Sequence, residues 1–143
     1  MSRVLGSASA TTAADPFGPG DPVEVARLVR RALAAAGAKA LDVTALLVVA
    51  AQPVDHAALR RLTRRALGPH GAALSPVAVP GRAATHAGRV AEAVEVAIGF
   101  RDDHPAGQPT GTPGHAARSV VMAVALGPGS SATALCVGDS TRS

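Results

Sequence analysis

The side chains in this chain that could do chemistry are few. There is one cysteine, Cys136, and there are five histidines: His56, His70, His86, His104 and His115. A thiolate nucleophile needs access and a neighbour that stabilises its charge. Cys136 instead stands in the run Ala134-Leu135-Cys136-Val137, where a cysteine behaves as a small buried hydrophobe. A single cysteine also excludes an internal disulfide and every zinc pattern built on several cysteines. His56, His70, His104 and His115 stand at loops or helix starts without metal-ligand spacing, so no metal and no cofactor is expected. Arg60, Arg61, Arg64 and Arg65 recur at spacings of three and four, which places pairs of them on one face of a helix. Gly127-Pro128-Gly129 is not a nucleotide-binding loop, because a strand rather than a helix follows it.

Composition narrows the choices further. The 143 residues suit one domain. At 48% hydrophobic and 17% charged, the chain is too apolar to be disordered. About a quarter of it is alanine, and Phe17 and Phe100 are its only aromatic residues. Base-stacking nucleic-acid modules and aromatic cages need more rings than this. The 13 arginines against one lysine, Lys39, read more as codon bias than as a selected nucleic-acid footprint, and neither nucleic acid nor membrane is an expected partner. The N-terminus has no long apolar stretch of a secretory signal. The longest unbroken apolar runs, Ala45 to Ala51 and the equally long Val120 to Leu126, are far too short to span a bilayer. The expected location is the cytoplasm.

The elements that must position these residues follow from period and punctuation. The stretch from Asp15 to Pro22 is a Pro/Gly-rich loop that ends at a helix start, with Asp21 as N-cap and Pro22 in the first turn. The helix runs to about Ala36 with Val25, Leu28, Val29, Ala32, Leu33 and Ala36 inward, Arg27, Arg30 and Arg31 off that stripe, and Gly37 at its end. Ala45 to Ala51 reads as a strand buried on both faces. A second helix spans about Asp55 to Leu67, with Asp55 as N-cap, Leu59, Leu62, Ala66 and Leu67 inward, and Gly68-Pro69 as the stop. Leu74 to Val79 is a second short strand. A third helix, about Thr85 to Phe100, should bury Ala87, Val90, Ala91, Val94, Ala97 and Ile98 on one face. Residues 102–118 enclose a Pro/Gly-rich loop. Ser119 to Leu126 and Thr133 to Val137 then form a closing hairpin around Gly127 to Ser131. The order is roughly β-α-β-α-β-α-β-β, a layered α/β domain with a mixed sheet.

In this order, several segments resemble the C-terminal half of a β-ketoacyl synthase, of the thiolase superfamily. They are Leu33-Ala34-Ala35-Ala36-Gly37, Asp42-Val43 before the apolar strand, and the helix from Asp55 to Ala66-Leu67-Gly68. They continue with Pro76-Val77-Ala78-Val79-Pro80, Ala87-Gly88, Phe100-Arg101-Asp102, and the turn and strand from Leu126 to Ala134. The match extends over roughly residues 4 to 138, and order and spacing carry it more than any single motif. It implies a single thiolase-like half domain over residues 1–143, part of an architecture that in the family is a five-layer αβαβα sandwich.

The resemblance also implies what chemistry to look for. In the family a nucleophilic cysteine comes from the N-terminal half, and the C-terminal half contributes two histidines and a lysine. Here Val49-Ala50-Ala51-Gln52-Pro53 has no histidine where the first belongs, and Gly81-Arg82 follows the strand where the lysine belongs. His86 stands near the place of the second histidine, a few residues late and preceded by Thr85. It is either a residual active-site imidazole or an ordinary helix N-terminal residue. This pattern is closest to the chain length factor branch of type II polyketide synthases. The expectation is therefore a catalytically inactive ketosynthase-like accessory subunit in bacterial polyketide or fatty-acid biosynthesis. The alternatives are a diverged acyl-transfer enzyme of the 3-oxoacyl synthase type that uses His86 at an oligomer interface, or a synthase remnant without function. Arg60, Arg61, Arg64 and Arg65 are either a docking surface for an acyl carrier protein or a solvated face. A half of this architecture exposes a small-residue apolar helix face, so the expected partner is a ketosynthase-related subunit or a second copy.

Overall fold

The computed structural model describes residues 2–11, 23–50, 54–103, 119–126 and 131–139. The chain opens with β1 (Ser2–Thr11), followed by α1 (Val23–Ala36) and a 3-10 turn at Ala40–Asp42. β2 (Val43–Ala50), α2 (His56–Leu67), the short α3 (Pro69–Ala72) and β3 (Val77–Pro80) come next. α4 (His86–Asp103) then leads to the hairpin of β4 (Val120–Leu126) and β5 (Ser131–Asp139). The expected loops at 15–22 and 104–118, the cap at Asp21 and Pro22, Ala51 to Pro53 and the turn at 127–130 lie outside the described residues.

The five strands form one mixed sheet in the order β1-β5-β4-β2-β3. β3, β2 and β4 run parallel, and β5 runs antiparallel to both β4 and β1. Residues of β2, β4 and β5 alternate between the two faces of the sheet and are buried on both, which is why these strands read as unbroken apolar runs. One face presents Leu46, Val48, Val120, Met122, Val124, Ala134 and Cys136 to α1 and α2. The other presents Leu47, Val49, Val121, Ala123, Ala125, Leu135 and Val137 to α4. The result is three layers, with α1 and α2 on one side and α4 on the other.

α1 buries the expected stripe, Val25, Leu28, Val29, Ala32, Leu33 and Ala36, together with Ala26. It ends at Gly37, whose φ of 68° is left-handed. The Ala38 N–H donates to the Leu33 carbonyl at 2.9 Å and the Gly37 N–H to that of Ala34 at 3.1 Å, so two otherwise orphaned carbonyls are satisfied. α2 likewise buries Leu59, Leu62, Ala66 and Leu67.

Several expectations need correction. Asp55 occupies the N-cap position of α2, but its side chain makes no capping hydrogen bond; its carbonyl accepts from the Leu59 N–H at 3.0 Å. Gly68 ends α2 as expected, yet Pro69 opens α3 rather than a loop, because proline is well suited to a first helical turn. β3 begins at Val77, not Leu74. α3 and the bends after it occupy the chain as far as Pro76, and ladder pairing with β2 starts only at Val77 opposite Leu47. β3 is an edge strand, with Val77 42% exposed. Asp102 and Asp103 continue α4 rather than starting the loop.

The largest correction concerns α4. Its buried line is Arg89, Ala93, Ala97 and Arg101, a strict four-residue stripe. Of the face expected from sequence, only Ala97 is buried. Ala87 and Ala91 are exposed, and Val90, Val94 and Ile98 are half-buried. The reason lies in the two arginines. Each reaches past an end of the sheet with its guanidinium and donates to backbone carbonyls, Arg89 to Leu126 and Ala83, Arg101 to Ser119. A long basic side chain can thereby lie on a core face while its terminal guanidinium nitrogens reach acceptors.

Candidate functional site

His86 is the first residue of α4, and the backbone around it is tightly held. The Thr85 carbonyl accepts the Arg89 N–H at 3.0 Å, and Thr85 Oγ1 accepts the Gly88 N–H at 3.0 Å, so threonine caps the helix. Glu92, two turns further on, accepts from the Arg82 and Ala83 N–H groups at 2.8–3.1 Å. These two backbone bonds, and then the Arg89 and Arg82 guanidiniums, hold the Glu92 carboxyl below its ordinary pKa. Gly81 completes the turn. A Cβ there would stand 2.9 Å from Arg89 Nε and 3.2 Å from Val49 Cγ1, so a larger residue would push the Arg89 side chain aside.

Within this frame the His86 imidazole is half-buried and enters a line of hydroxyls. Its Nε2 lies 2.8 Å from Thr133 Oγ1, which lies 2.8 Å from Ser9 Oγ. Ser9 and Thr133 are direct cross-strand partners in the β1–β5 ladder. The threonine hydroxyl has one proton, so it donates to one neighbour and accepts from the other. His86 Nδ1 is buried and has no hydrogen-bond partner among the described residues, and the same is true of Arg89 Nε. The arrangement can orient an imidazole and pass a proton along two hydroxyls.

It does not include a thiol. Cys136 is fully buried and packs on the sheet face that meets α1 and α2, whereas Thr133 and His86 meet on the α4 side. Nor does it include the arginine row. Arg60, Arg61, Arg64 and Arg65 are all exposed on α2, across the sheet from His86. Of the other histidines, His70 Nε2 donates to the Val43 carbonyl at 2.8 Å and ties α3 to the start of β2, and His56 Nε2 accepts from Arg60 Nε at 3.3 Å. His104 and His115 lie outside the described residues. No three His, Cys, Asp or Glu side chains come together among the described residues as a metal site would require. No described helix is long and apolar enough to cross a membrane.

A groove of about 300 Å³ runs between β3 and α4, with Val49, Val79 and Val96 as its apolar wall and Arg82, Glu92 and Glu95 at its polar rim. His86 does not line it. Sequence reasoning named His86 but missed Thr133, Ser9, Arg89 and Glu92. Only Arg89 carried a sequence signal: it begins the line 89-93-97-101 in an otherwise small-residue helix.

The five-strand order, the antiparallel closing hairpin and the helices on both faces can be compared with solved structures. The priming β-ketosynthase of the R1128 polyketide biosynthetic pathway matches with a TM-score of 0.53 and 15% identity over 97% of this chain. The Streptomyces albus JA3453 oxazolomycin ketosynthase domain matches with a TM-score of 0.61 and 16% identity over 98% of it. The fold is ketosynthase-like. The chain spans 50% of the first protein's length and 30% of the second's. No family model and no curated protein matches the chain. At these identities the likeness carries the architecture, and the expected β-α-β-α-β-α-β-β thiolase-like class stands.

Proposed function

We propose that the protein is a ketosynthase-like accessory subunit, of chain-length-factor type, in polyketide or fatty-acid biosynthesis. In this reading it does not itself perform condensation, and it acts by pairing with a ketosynthase-related subunit or with a second copy. The observation that carries the reading is the surface of α4. The helix packs one line on the sheet and keeps a second apolar line, Ala87, Val90, Ala91, Val94 and Ile98, only partly covered. At about 100° per residue, this second line lies on the flank beside the buried one, and Glu95 and Asp102 lie beyond it. A partly covered apolar stripe of this kind supports an association surface. The ketosynthase-like architecture supports the choice of partner, and both neighbours are described as ketosynthases, one of a polyketide pathway. The burial of Cys136 supports the absence of condensation, which needs an accessible thiolate.

The test is association. The wild-type protein is expected to run as a dimer, or to be retained by an intact ketosynthase-related subunit. Ala91→Glu with Val94→Glu is expected to abolish this while leaving the fold intact by circular dichroism.

A second reading, acyl transfer that uses His86, is favoured by the line from Ser9 through Thr133 to Nε2. The two readings separate in a reconstituted synthase. His86→Ala is expected to leave the product profile unchanged, and a large loss of product would favour acyl transfer.

A further inference from the structure

The groove between β3 and α4 lies apart from His86 and from the apolar line of α4. It forms because the sheet runs one strand past the helix: α4 packs on β2, β4 and β5, and β3 lies beyond them at the sheet edge. Val77 and Val79 share one side of β3, since alternate residues of a strand share a face. Val79 packs with the α4-side core and is half-buried, whereas Val77 is exposed. Val79 and Pro80 on β3, Val49 on β2 and Val96 on α4 line a space of about 300 Å³, a size that suits a small ligand.

Three charged side chains reach the rim: Arg82 from the turn after β3, and Glu92 and Glu95 from α4. The two glutamates are three positions apart and so are neighbours on one flank of the helix. That flank is the one away from Val90 and Val94. Glu92 is already engaged, because its oxygens accept the Arg82 and Ala83 N–H groups. The Arg82 guanidinium and the Glu95 carboxylate have no hydrogen-bonded or salt-bridged partner among the described residues. Two unpaired charges of opposite sign therefore stand on one rim, beside an apolar wall.

We infer that this groove binds a free α-amino acid with an aliphatic side chain, its carboxylate on Arg82, its ammonium on Glu95 and its side chain against the three valines. A guanidinium takes a carboxylate through two parallel N–H donors. An ammonium beside Glu95 also gains from the second carboxylate, Glu92. The wall offers methyl groups and no ring, which suits a branched aliphatic chain rather than a stacked one. A bare alkylamine would meet the carboxylates but bring its charge beside Arg82, and a fatty acid would bring its charge beside both glutamates. A zwitterion answers both signs. Bound in this way, it links the turn after β3 to the middle of α4, so binding stabilises the folded chain. The inference uses neither His86 nor the association surface, so it does not rest on the ketosynthase-like reading.

The test titrates leucine into the full chain by calorimetry, with the thermal midpoint as a second readout. Leucine is expected to bind with a Kd on the order of 1 mM or below and to raise the midpoint as its concentration rises. Arg82→Gln and Glu95→Gln should each weaken binding about tenfold or more. Both side chains are exposed, so the variants should fold, and their midpoints without ligand check this. Glycine, N-acetylleucine and leucinamide remove the side chain, the ammonium and the carboxylate in turn. Each is expected to bind about tenfold more weakly than leucine. Absence of leucine binding at about 10 mM overturns the inference, as does wild-type affinity in either variant. Glycine at the affinity of leucine would overturn the role of the valine wall. Leucinamide or N-acetylleucine at that affinity would make the ligand a simple amine or acid, and would overturn the inference as well.

Discussion

Glu92 shows how a single side chain sets the entrance to α4. Its carboxylate takes the Arg82 and Ala83 N–H groups, which would otherwise be free donors in the turn before the helix. Because its pKa is depressed on folding, its contribution is present above the unfolded-state value and is lost as pH falls through the folded-state value. The window is therefore the acid limb, from about pH 4.5 downward. Glu92→Gln keeps an acceptor without the charge. Its thermal midpoint should fall less than that of the wild type across this limb; identical acid limbs would remove Glu92 from the account. His86, by contrast, depends on residues far away in the chain. Its partner Thr133 is 47 positions on, and Ser9 lies 124 positions before Thr133. The type of His86 and its place at the start of an Ala/Val helix were legible in the sequence. Its two hydroxyl partners were not, because they are fixed by strand register, which no local pattern records.

At the scale of elements, α1, β2, α2 and the closing hairpin were legible, since each carries a clean period or a continuous apolar run. α4 was legible as a helix but not in its orientation. A small-residue helix with apolar positions on more than one side gives no unique inward face by counting, and two arginines whose terminal nitrogens donate to backbone carbonyls take the inward line. β1 illustrates a different limit. It carries little apolar content of its own, yet it pairs along β5 and lies against α1. Its Gly6 is the point of closest approach. A Cβ there would stand 2.5 Å from Ala36 N and 2.9 Å from the Ala32 carbonyl oxygen, both backbone atoms that cannot swing aside. Gly6→Ala should therefore cost about 1–3 kcal/mol in urea unfolding, with Ser7→Ala on the exposed side as a control. Equal midpoints for the two variants would show that β1 can retreat from α1.

The whole molecule has two unlike outer surfaces. The α1–α2 layer carries exposed arginines, and the α4 layer is apolar along one flank and acidic beyond it. One helix, α4, with Arg89, Ala93, Ala97 and Arg101 as its buried residues, lies on the sheet face opposite the one that two helices cover. Many of the alanines fill the core, among them Ala93, Ala97, Ala123 and Ala134, whereas Ala87 and Ala91 stay exposed on α4. The central claim is that α4 is an interface. Light scattering at micromolar concentration, alone and with a ketosynthase-related subunit, tests it most directly. The account predicts a dimer or a stable complex for the wild type and a monomer for Ala91→Glu with Val94→Glu. A wild-type protein that stays monomeric and retains no such subunit would contradict it.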